Sequence, residues 1–326
     1  MLDLVTDEAL WGVRVENHKF IPIYTSLKKC RSCLYQFTTE SSTCPWCGKE
    51  DIDDTKGRIE ALRKIAYQVD LAIVGTDPDA EGEKIAWDIA NLLKGITKIK
   101  RAEFHEVTPW AIKEALNNLR TINENLVKAQ IVRRIEDRWI GFELSQRLQK
   151  VFKNKNISAG RVQTPVLFWI VEQEKKFRQK KKISYNKELD LTFENINKKR
   201  IKIKIELIEK KREKKAPLPP YSTDELLRDA YRILKFSAST CMKLAQELFE
   251  KGLITYHRTD SFSVSKMGQK IAQEYLKEDF SPRDWSKKEG AHECIRPTKA
   301  WDKFTLQRMI YENIVSLEGI KKEHFA

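Results

Sequence analysis

The sequence contains no apolar run long enough to cross a lipid bilayer and no signal-peptide pattern. We therefore expect a soluble protein of the cytoplasm. The sequence also lacks a Gly-x-x-x-x-Gly-Lys-Ser/Thr motif, which excludes a P-loop ATPase from these 326 residues. No internal repeat is present, so function has to be sought in the composition and in isolated motifs.

Positive charge is in excess, because 61 lysines and arginines oppose 47 acidic residues and give a formal net charge of +14. Such an excess favours a polyanionic partner, either nucleic acid or an anionic membrane face. Residues 174–215 alone contain 17 basic and 7 acidic residues. We favour nucleic-acid contact for this stretch over a merely solvated basic hairpin. The richness in lysine, glutamate and isoleucine is typical of a hyperthermophile.

Four of the six cysteines form two Cys-x-x-Cys pairs, Cys30 with Cys33 and Cys44 with Cys47, in an insert at 28–52. This spacing is typical of a tetrahedral zinc site. The insert has too few aromatic residues for a core of its own, so a metal would supply its folding energy. Two disulfides are the alternative, which an intracellular location disfavours.

Carboxylates follow an apolar run that predicts a buried strand, Leu71 to Gly75; they stand at alternate positions, Asp77, Asp79, Glu81 and Glu83. A helical pattern comes next, so the acids lie at the carboxyl end of a strand, where open α/β sheets bind ligands. We favour a Mg²⁺ site at the first three. The alternative is a helix N-terminus decorated with acids, which would account for Glu81 and Glu83.

A second candidate segment, 252–261, places Tyr256 two residues before Arg258. A free phenol titrates at about 10 and is a poor nucleophile at neutral pH. A nearby cation lowers that pKa and neutralises charge that develops on an attacked phosphate. We expect Arg258 to do both and His257 to face away. Together with the acidic turn, the pair predicts attack on a phosphodiester.

Periodicity outlines the remaining elements. Helical spacing predicts helices at 58–67, 83–93, 223–235 and 239–250. A further helical region follows the Thr108-Pro109 start signal and includes an apolar stripe of Ile131, Ile135, Trp139, Leu144 and Leu148. Alternation predicts strands at 11–15 and 20–24 and a β hairpin over 183–208, clearest at Ile201, Ile203, Ile205 and Leu207. A charged, proline-rich linker is expected at 210–220.

Four motifs resemble those of type IA DNA topoisomerases and stand in the family's order. They are the acidic motif from Asp77 to Glu83, which resembles a Toprim domain, the Ser-Ala-Gly-Arg-Val-Gln box at 158–163, the active-tyrosine segment at 252–261 and the histidine box at 290–298. The cysteine insert and residues 101–108 resemble the topoisomerase half of reverse gyrases. The resemblance covers essentially the whole chain.

This resemblance implies a mechanism. Tyr256 would attack a DNA phosphate to give a 5′-phosphotyrosine and a free 3′ hydroxyl, so religation would need no ATP. Arg258 would stabilise the pentavalent phosphate and His292 would lie near it, while Asp77, Asp79 and Glu81 would hold Mg²⁺. The implied DNA contacts are Ser158, Arg161, Gln163, Arg133 and Arg296. The implied partners are DNA, chiefly single-stranded, and a helicase-type ATPase half in cis or in trans.

The implied fold is multidomain, α/β followed by mainly helical domains with a β arch segment. We predict an incomplete Toprim-like domain at 1–115 with the zinc ribbon at 28–52, a helical groove domain at 116–172, the arch hairpin and linker at 173–220, and a helical domain at 221–326 that carries the tyrosine.

The family pattern also includes features that this sequence does not show. A Toprim domain opens with a strand that ends in glutamate, and the family chain returns after the histidine box to close the arch. We therefore expect the chain alone to bind single-stranded DNA but to relax supercoils poorly. The alternatives are a catalytically incompetent DNA-binding fragment, a split-gene subunit, or another Toprim enzyme such as a primase or nuclease, in which the tyrosine segment and the Ser158 box have no place.

Overall fold

The computed structural model describes residues 2–5, 9–179, 183–187, 191–194, 200, 202–212, 217–285, 292–314 and 318–325. Within these ranges no helix combines the length and apolar character needed to cross a membrane. Parts of the predicted arch and linker, such as 213–216, and the start of the histidine box at Gly290 and Ala291 lie outside the described residues.

The strands are β1 Leu2–Leu4, β2 Val13–Glu16, β3 Lys19–Pro22, β4 Tyr24–Ser26, β5 Lys28–Cys30, β6 Gln36–Phe37, β7 Ile52–Asp54, β8 Leu71–Val74, β9 Lys98–Arg101, β10 Ile183–Asn186 and β11 Leu191–Glu194. The α-helices are α1 Ala9–Gly12, α2 Lys56–Ala66, α3 Ala80–Leu92, α4 Pro109–Asn117, α5 Glu124–Phe152, α6 Gln163–Gln179, α7 Thr223–Asp229, α8 Ala238–Glu250, α9 Lys266–Leu276 and α10 Lys303–Tyr311. A π-helical turn spans Ala230–Leu234, and 3-10 turns span Lys277–Asp279 and Lys322–Phe325.

The chain forms two compact units, each built from two stretches of sequence. Unit 1 comprises Met1–Asp54 and Ile131–Ala216, and unit 2 comprises Thr55–Gln130 and Pro217–Ala326. The content of α/β elements followed by mainly helical ones confirms the predicted fold class. The predicted domain boundaries stay predictions.

Unit 1 combines small antiparallel sheets with long helices. Strand β1 pairs with β4, β2 with β3, and β5 lies between β6 and β7. Aromatic contacts join α1 and β3 to α5: Trp11 packs on Phe142 and Phe20 on Trp139, each at 5.3 Å between ring centroids. These rings are half-buried or exposed, with Phe20 56% and Phe142 40% exposed, so the pairs pack at the edge of unit 1 rather than in its core.

Unit 2 contains the parallel pair β8 and β9, joined through α3. The predicted strand after residue 70 is confirmed, but its predicted burial is wrong: Leu71 is 42% and Ile73 43% exposed, and only Val74 is buried. The physical reason is that β8 pairs only with β9 among the described residues, so no further strand or helix covers the Leu71 and Ile73 face. The predicted helices correspond to α2, α3, α4, α7 and α8.

The predicted hairpin over 183–208 is confirmed only in its first part, where β10 and β11 pair antiparallel. Residues 202–208 form no strand, and Ile205 and Leu207 are 75% and 82% exposed. An alternating pattern specifies a face, but a strand also needs a hydrogen-bonding partner, and the described residues offer none here. Ile201 lies outside the described residues.

Candidate catalytic site

The acidic turn joins β8 to α3 and is tightly built. Asp79 is the N-cap of α3, because its Oδ1 accepts a hydrogen bond from the Gly82 amide at 2.7 Å. The Thr76 hydroxyl donates to the Gly82 carbonyl at 2.6 Å. Position 82 has to be glycine, since a Cβ there would lie 2.1 Å from the Asp77 carbonyl oxygen. The turn therefore has one defined conformation, which fixes the backbone positions of the residues that carry its carboxylates.

A buried arginine holds the same turn from behind. Arg101, at the end of β9, is fully buried and donates through Nη2 to the carbonyls of Thr76 and Asp77, both at 2.8 Å. Its charge is balanced by Glu83, whose Oε2 lies 3.2 Å from Arg101 Nε. Glu83 is itself 1% exposed, and it is not the solvated helix-terminus acid that one interpretation of the sequence expected.

Glu83 also binds a second arginine. Arg120 donates to both carboxylate oxygens, at 2.7 Å and 2.8 Å, and the Asn123 amide donates to Oε1. Burial raises the pKa of Glu83, but the hydrogen bonds from Arg120, Asn123 and Arg101 outweigh it and hold that pKa below its ordinary value. The carboxylate is thus charged and fully hydrogen-bonded inside unit 2.

Tyr256 reaches the acidic turn although the two are 177 residues apart in the sequence. Its hydroxyl donates to Asp79 Oδ2 at 2.6 Å, its amide donates to the His105 carbonyl at 2.8 Å, and its ring packs on Phe249 at 5.2 Å between centroids. The tyrosine is only 1% exposed. Backbone, ring and hydroxyl are therefore all held.

The electrostatics at Tyr256 differ from the sequence expectation. Burial first, and then the hydrogen bond and charge of Asp79, raise the pKa of Tyr256, whereas Arg258 lowers it by less. Asp79 has the larger effect because its Oδ2 accepts the hydrogen bond of the phenol at 2.6 Å. Arg258 Nη1 lies beside the acids, 3.9 Å from Asp79 and 3.8 Å from Glu81. The phenol is protonated at neutral pH, so its oxygen can act as a nucleophile only if the proton leaves.

The next residue, His257, is fully buried and neither ring nitrogen has a hydrogen-bond partner in the described part of the chain. Burial, and then the charge of Arg258, lower the pKa of His257 to about 4. The histidine is therefore a neutral packing residue at pH 7.

A cleft of about 580 Å³ opens in front of the turn. Its charged lining consists of Asp77, Asp79, Glu81, Glu250, Lys243 and Arg258. Burial, and next the charge of Asp79, raise the pKa of Asp77, as expected where negative charge is not fully compensated. These carboxylates do not converge as tightly as the cysteines do, but Mg²⁺ binds through one or two carboxylates together with water and phosphate oxygens. The lining therefore fits a hydrated divalent cation.

The described part of the histidine box lies beside the tyrosine. The His292 ring is 5.8 Å from the Tyr256 ring, and His292 Nδ1 is 3.1 Å from His105 Nδ1. Arg296 pairs with Glu293 at 2.7 Å and Glu106 at 3.1 Å, and its side chain is 10% exposed. Its DNA contact stays a prediction, and it would require these ion pairs to open.

The other predicted DNA contacts belong to unit 1. Gln163 donates to the Ser158 hydroxyl at 3.1 Å, which ties the two ends of the box together. Arg161 and Arg133 share Asp137, at 2.8 Å and 3.8 Å. Arg133 is 62% exposed and Arg161 34%, so both guanidinium groups remain accessible to a phosphate.

The four cysteines of the insert converge. Their sulfur atoms all lie within 4.8 Å of one another, and Cys30 to Cys47 and Cys33 to Cys44 are each 3.6 Å apart. All four are free thiols, so the disulfide alternative is wrong. Zinc–sulfur bonds of about 2.3 Å in a tetrahedron require sulfurs about 3.8 Å apart. The donor set therefore fits zinc. The other two cysteines, Cys241 and Cys294, are buried.

Sequence reasoning missed the supporting residues of the site. Arg101, Arg120, Glu103 and His105 were not singled out, and Glu83 was given the wrong environment. The one available signal was that Arg101 to His105 belongs to a segment resembling reverse gyrases. Which of these charges pair is decided by contacts between distant segments, as in the 37-residue separation of Glu83 and Arg120.

Comparison with known proteins agrees with this geometry. A family model described as a Toprim domain matches residues 10–107, and one described as DNA topoisomerase matches 121–187 and 178–317. The chain is 46% identical to the reverse gyrase of Pyrococcus furiosus over 342 residues, covering 100% of this chain and 28% of that protein. It is 43% identical to reverse gyrase 1 of Aquifex aeolicus over 344 residues, covering 99% and 28%.

A solved structure is similar as well. Full-length topoisomerase I from Thermotoga maritima matches with a TM-score of 0.68 and 29% identity, covering 99% of this chain and 53% of that one. This chain thus spans about 28% of the length of the reverse gyrases named above. With both family models matched in the expected order, the chain belongs to the type IA DNA topoisomerase family.

Proposed function

We propose that this chain carries out the DNA cleavage and religation steps of a reverse gyrase-like type IA topoisomerase. The observation that carries the proposal is the 2.6 Å hydrogen bond from the Tyr256 hydroxyl to Asp79. It brings a potential nucleophile to an acid-lined turn with an arginine beside it, and phosphoryl transfer needs a nucleophile, a proton acceptor and positive charge in one place.

In the proposed reaction, the Tyr256 oxygen attacks a DNA phosphorus while the phenol proton passes to the Asp79 carboxylate that already accepts it. The bond to the 3′ oxygen breaks, that oxygen takes up a proton from water, and a 5′-phosphotyrosine remains. Arg258 neutralises charge on the pentavalent phosphate. Religation reverses each step. Because the phosphotyrosine link conserves the energy of the phosphodiester bond, religation needs no ATP.

Asp77, Asp79 and Glu81 would hold Mg²⁺. Bound there, the ion would offset negative charge at the turn and orient phosphate oxygens. Cys30, Cys33, Cys44 and Cys47 would hold a structural zinc. Ser158, Arg161, Gln163 and Arg133 would contact the DNA backbone, and His292 would lie near the phosphate.

DNA, chiefly single-stranded, is the proposed partner. The net charge of +14 supports it. Strand passage is proposed only together with further segments, including a helicase-type ATPase half in cis or in trans, because the reverse gyrases are much longer than this chain. The chain alone should relax supercoiled DNA poorly.

The test is to trap the covalent adduct. A single-stranded oligonucleotide labelled at its 3′ end is incubated with protein and Mg²⁺, and the reaction is stopped with detergent. The unmodified chain should carry the label through a denaturing gel, and Tyr256→Phe should not. Tyr221→Phe is the matched control, since the Tyr221 hydroxyl binds Asp229 and lies in the same unit.

The polarity of the adduct is tested in parallel. An oligonucleotide labelled at its 5′ end should release a free labelled fragment and leave the protein unlabelled. Label retained by Tyr256→Phe, or attached through the 5′ fragment, would refute the proposal. Binding of the oligonucleotide without any adduct would instead support the second candidate, a single-stranded DNA-binding subunit, which the buried and protonated Tyr256 favours.

A further inference from the structure

We infer that Glu103 and His105 are positioning residues that fix the tautomer of His292. Through them, His292 carries its proton on Nδ1 and keeps Nε2 unprotonated beside the tyrosine. The tautomer itself follows from contacts within unit 2, whereas its catalytic consequence rests on the proposed cleavage reaction.

The first step is the charge state of Glu103. Arg120 donates to Glu103 Oε2 at 2.6 Å, and His105 Nε2 lies 3.4 Å from Oε1. The hydrogen bond from His105, and next Arg120, lower the pKa of Glu103 to about 2. An ionised carboxylate only accepts hydrogen bonds. His105 Nε2 must therefore carry a proton.

The second step assigns the protonated nitrogen in each of the two imidazole rings. A neutral histidine has one N–H and one accepting nitrogen. In the neutral form of His105, the single proton lies on Nε2 and Nδ1 is the acceptor. His292 Nδ1 faces that atom at 3.1 Å, so His292 must donate from Nδ1. Burial is the main cause that lowers the pKa of His292. This ring is therefore neutral at pH 7, with a free lone pair on Nε2.

The third step is the link to Tyr256. The carbonyl of His105 accepts the Tyr256 amide at 2.8 Å, and the rings of His292 and Tyr256 are 5.8 Å apart. The same residue therefore positions the tyrosine backbone and orients the neighbouring imidazole. Among the described residues, His292 Nε2 has no hydrogen-bond partner, and it remains available to a bound phosphate, hydroxyl or water.

The tautomer can be read directly by NMR. In protein labelled with ¹⁵N-histidine at pH 7, long-range ¹H–¹⁵N spectra distinguish a protonated ring nitrogen from an unprotonated one. His292, assigned by its loss in His292→Gln, should show the proton on Nδ1. In Glu103→Gln, Arg120 retains the amide oxygen, so the amide NH₂ group faces His105 Nε2. Both histidines should then change to the other tautomer, which places the His292 proton on Nε2.

Two substitutions of His105 test whether it acts by accepting a hydrogen bond from His292 or only by packing against it. His105→Asn places an oxygen where Nδ1 stood and still accepts from His292. His105→Gln places its amide near Glu103 and leaves His292 Nδ1 without an acceptor. The adduct should form within about threefold of the normal rate in the asparagine variant. In the glutamine variant it should form about 10- to 100-fold more slowly, the range found when a metal-binding histidine loses the partner that orients it. Glu114→Gln, on α4, is the charge-matched control and should change neither readout.

Each outcome is decisive. His292 with its proton on Nε2 in the unmodified chain, or an unchanged tautomer in Glu103→Gln, would overturn the inference. Equal adduct rates for His105→Asn and His105→Gln would overturn its catalytic part. If the unmodified chain forms no adduct at all, the proposed function fails, but the NMR result still decides the tautomer.

Discussion

Replacing Glu83 by glutamine should destabilise unit 2 more than any exposed charge substitution on the same helix. The isosteric change keeps the volume but removes the charge that balances Arg101. Arg101 is fully buried and cannot turn to water. Leaving such an ion uncompensated costs about 3–5 kcal/mol.

Of the two arginines that bind Glu83, Arg101 should account for most of this destabilisation. Arg120 is 32% exposed and retains Glu103 as a partner, so water and Glu103 can compensate much of its loss. Arg101 has no such alternative, although it keeps its carbonyl acceptors at the turn. The cost should therefore come mainly from Arg101, and it should loosen the turn that carries Asp77.

Calorimetry measures this. At about 2–4 °C per kcal/mol for a unit of this size, the midpoint of thermal unfolding should fall by about 6–20 °C. Glu81→Gln is the control: its side chain is 64% exposed and 3.8 Å from Arg258, so its loss should cost under about 1 kcal/mol. Equal midpoints for the two variants would refute the view that the Glu83–Arg101 pair is a buried, irreplaceable contact.

Two further predictions concern His257 and the cysteine cluster. His257 has a pKa of about 4 in the folded chain and about 6.5 when unfolded. Between these pH values the unfolded chain binds a proton at His257 that the folded chain does not. The free energy of unfolding should therefore fall by about 3 kcal/mol as the pH drops from 6.5 to 4. In guanidinium unfolding at pH 7 and 4.5, His257→Phe should depend less on pH than the unmodified chain, and parallel profiles would contradict this. Metal analysis of the purified chain should find one zinc per molecule, and chelation or Cys44→Ser should remove it. The control Cys241→Ser changes a buried thiol outside the cluster and should retain the zinc. Zinc retained by Cys44→Ser would refute the assignment.

Much of the local structure was predictable from the sequence. The helix that begins after Thr108 was expected from its Thr-Pro start, and the Thr108 hydroxyl accepts the Ala111 amide at 3.3 Å. The cysteine spacing predicted a cluster, because two short knuckles bring four sulfurs together with little help from the rest of the chain. The hairpin extension through Ile205 and Leu207 was wrong, because alternation does not specify a pairing partner.

The sequence by itself determined the motifs, the cysteine knuckles and the helix start at Thr108, since these depend on residues within a few positions of one another. Only the tertiary structure decided that Tyr256 donates to Asp79, that Glu83 is buried with Arg101, and that His105 meets His292. Such contacts join segments far apart in the chain. Their hydrogen bonds and pKa values depend on burial and on neighbours that no local pattern encodes.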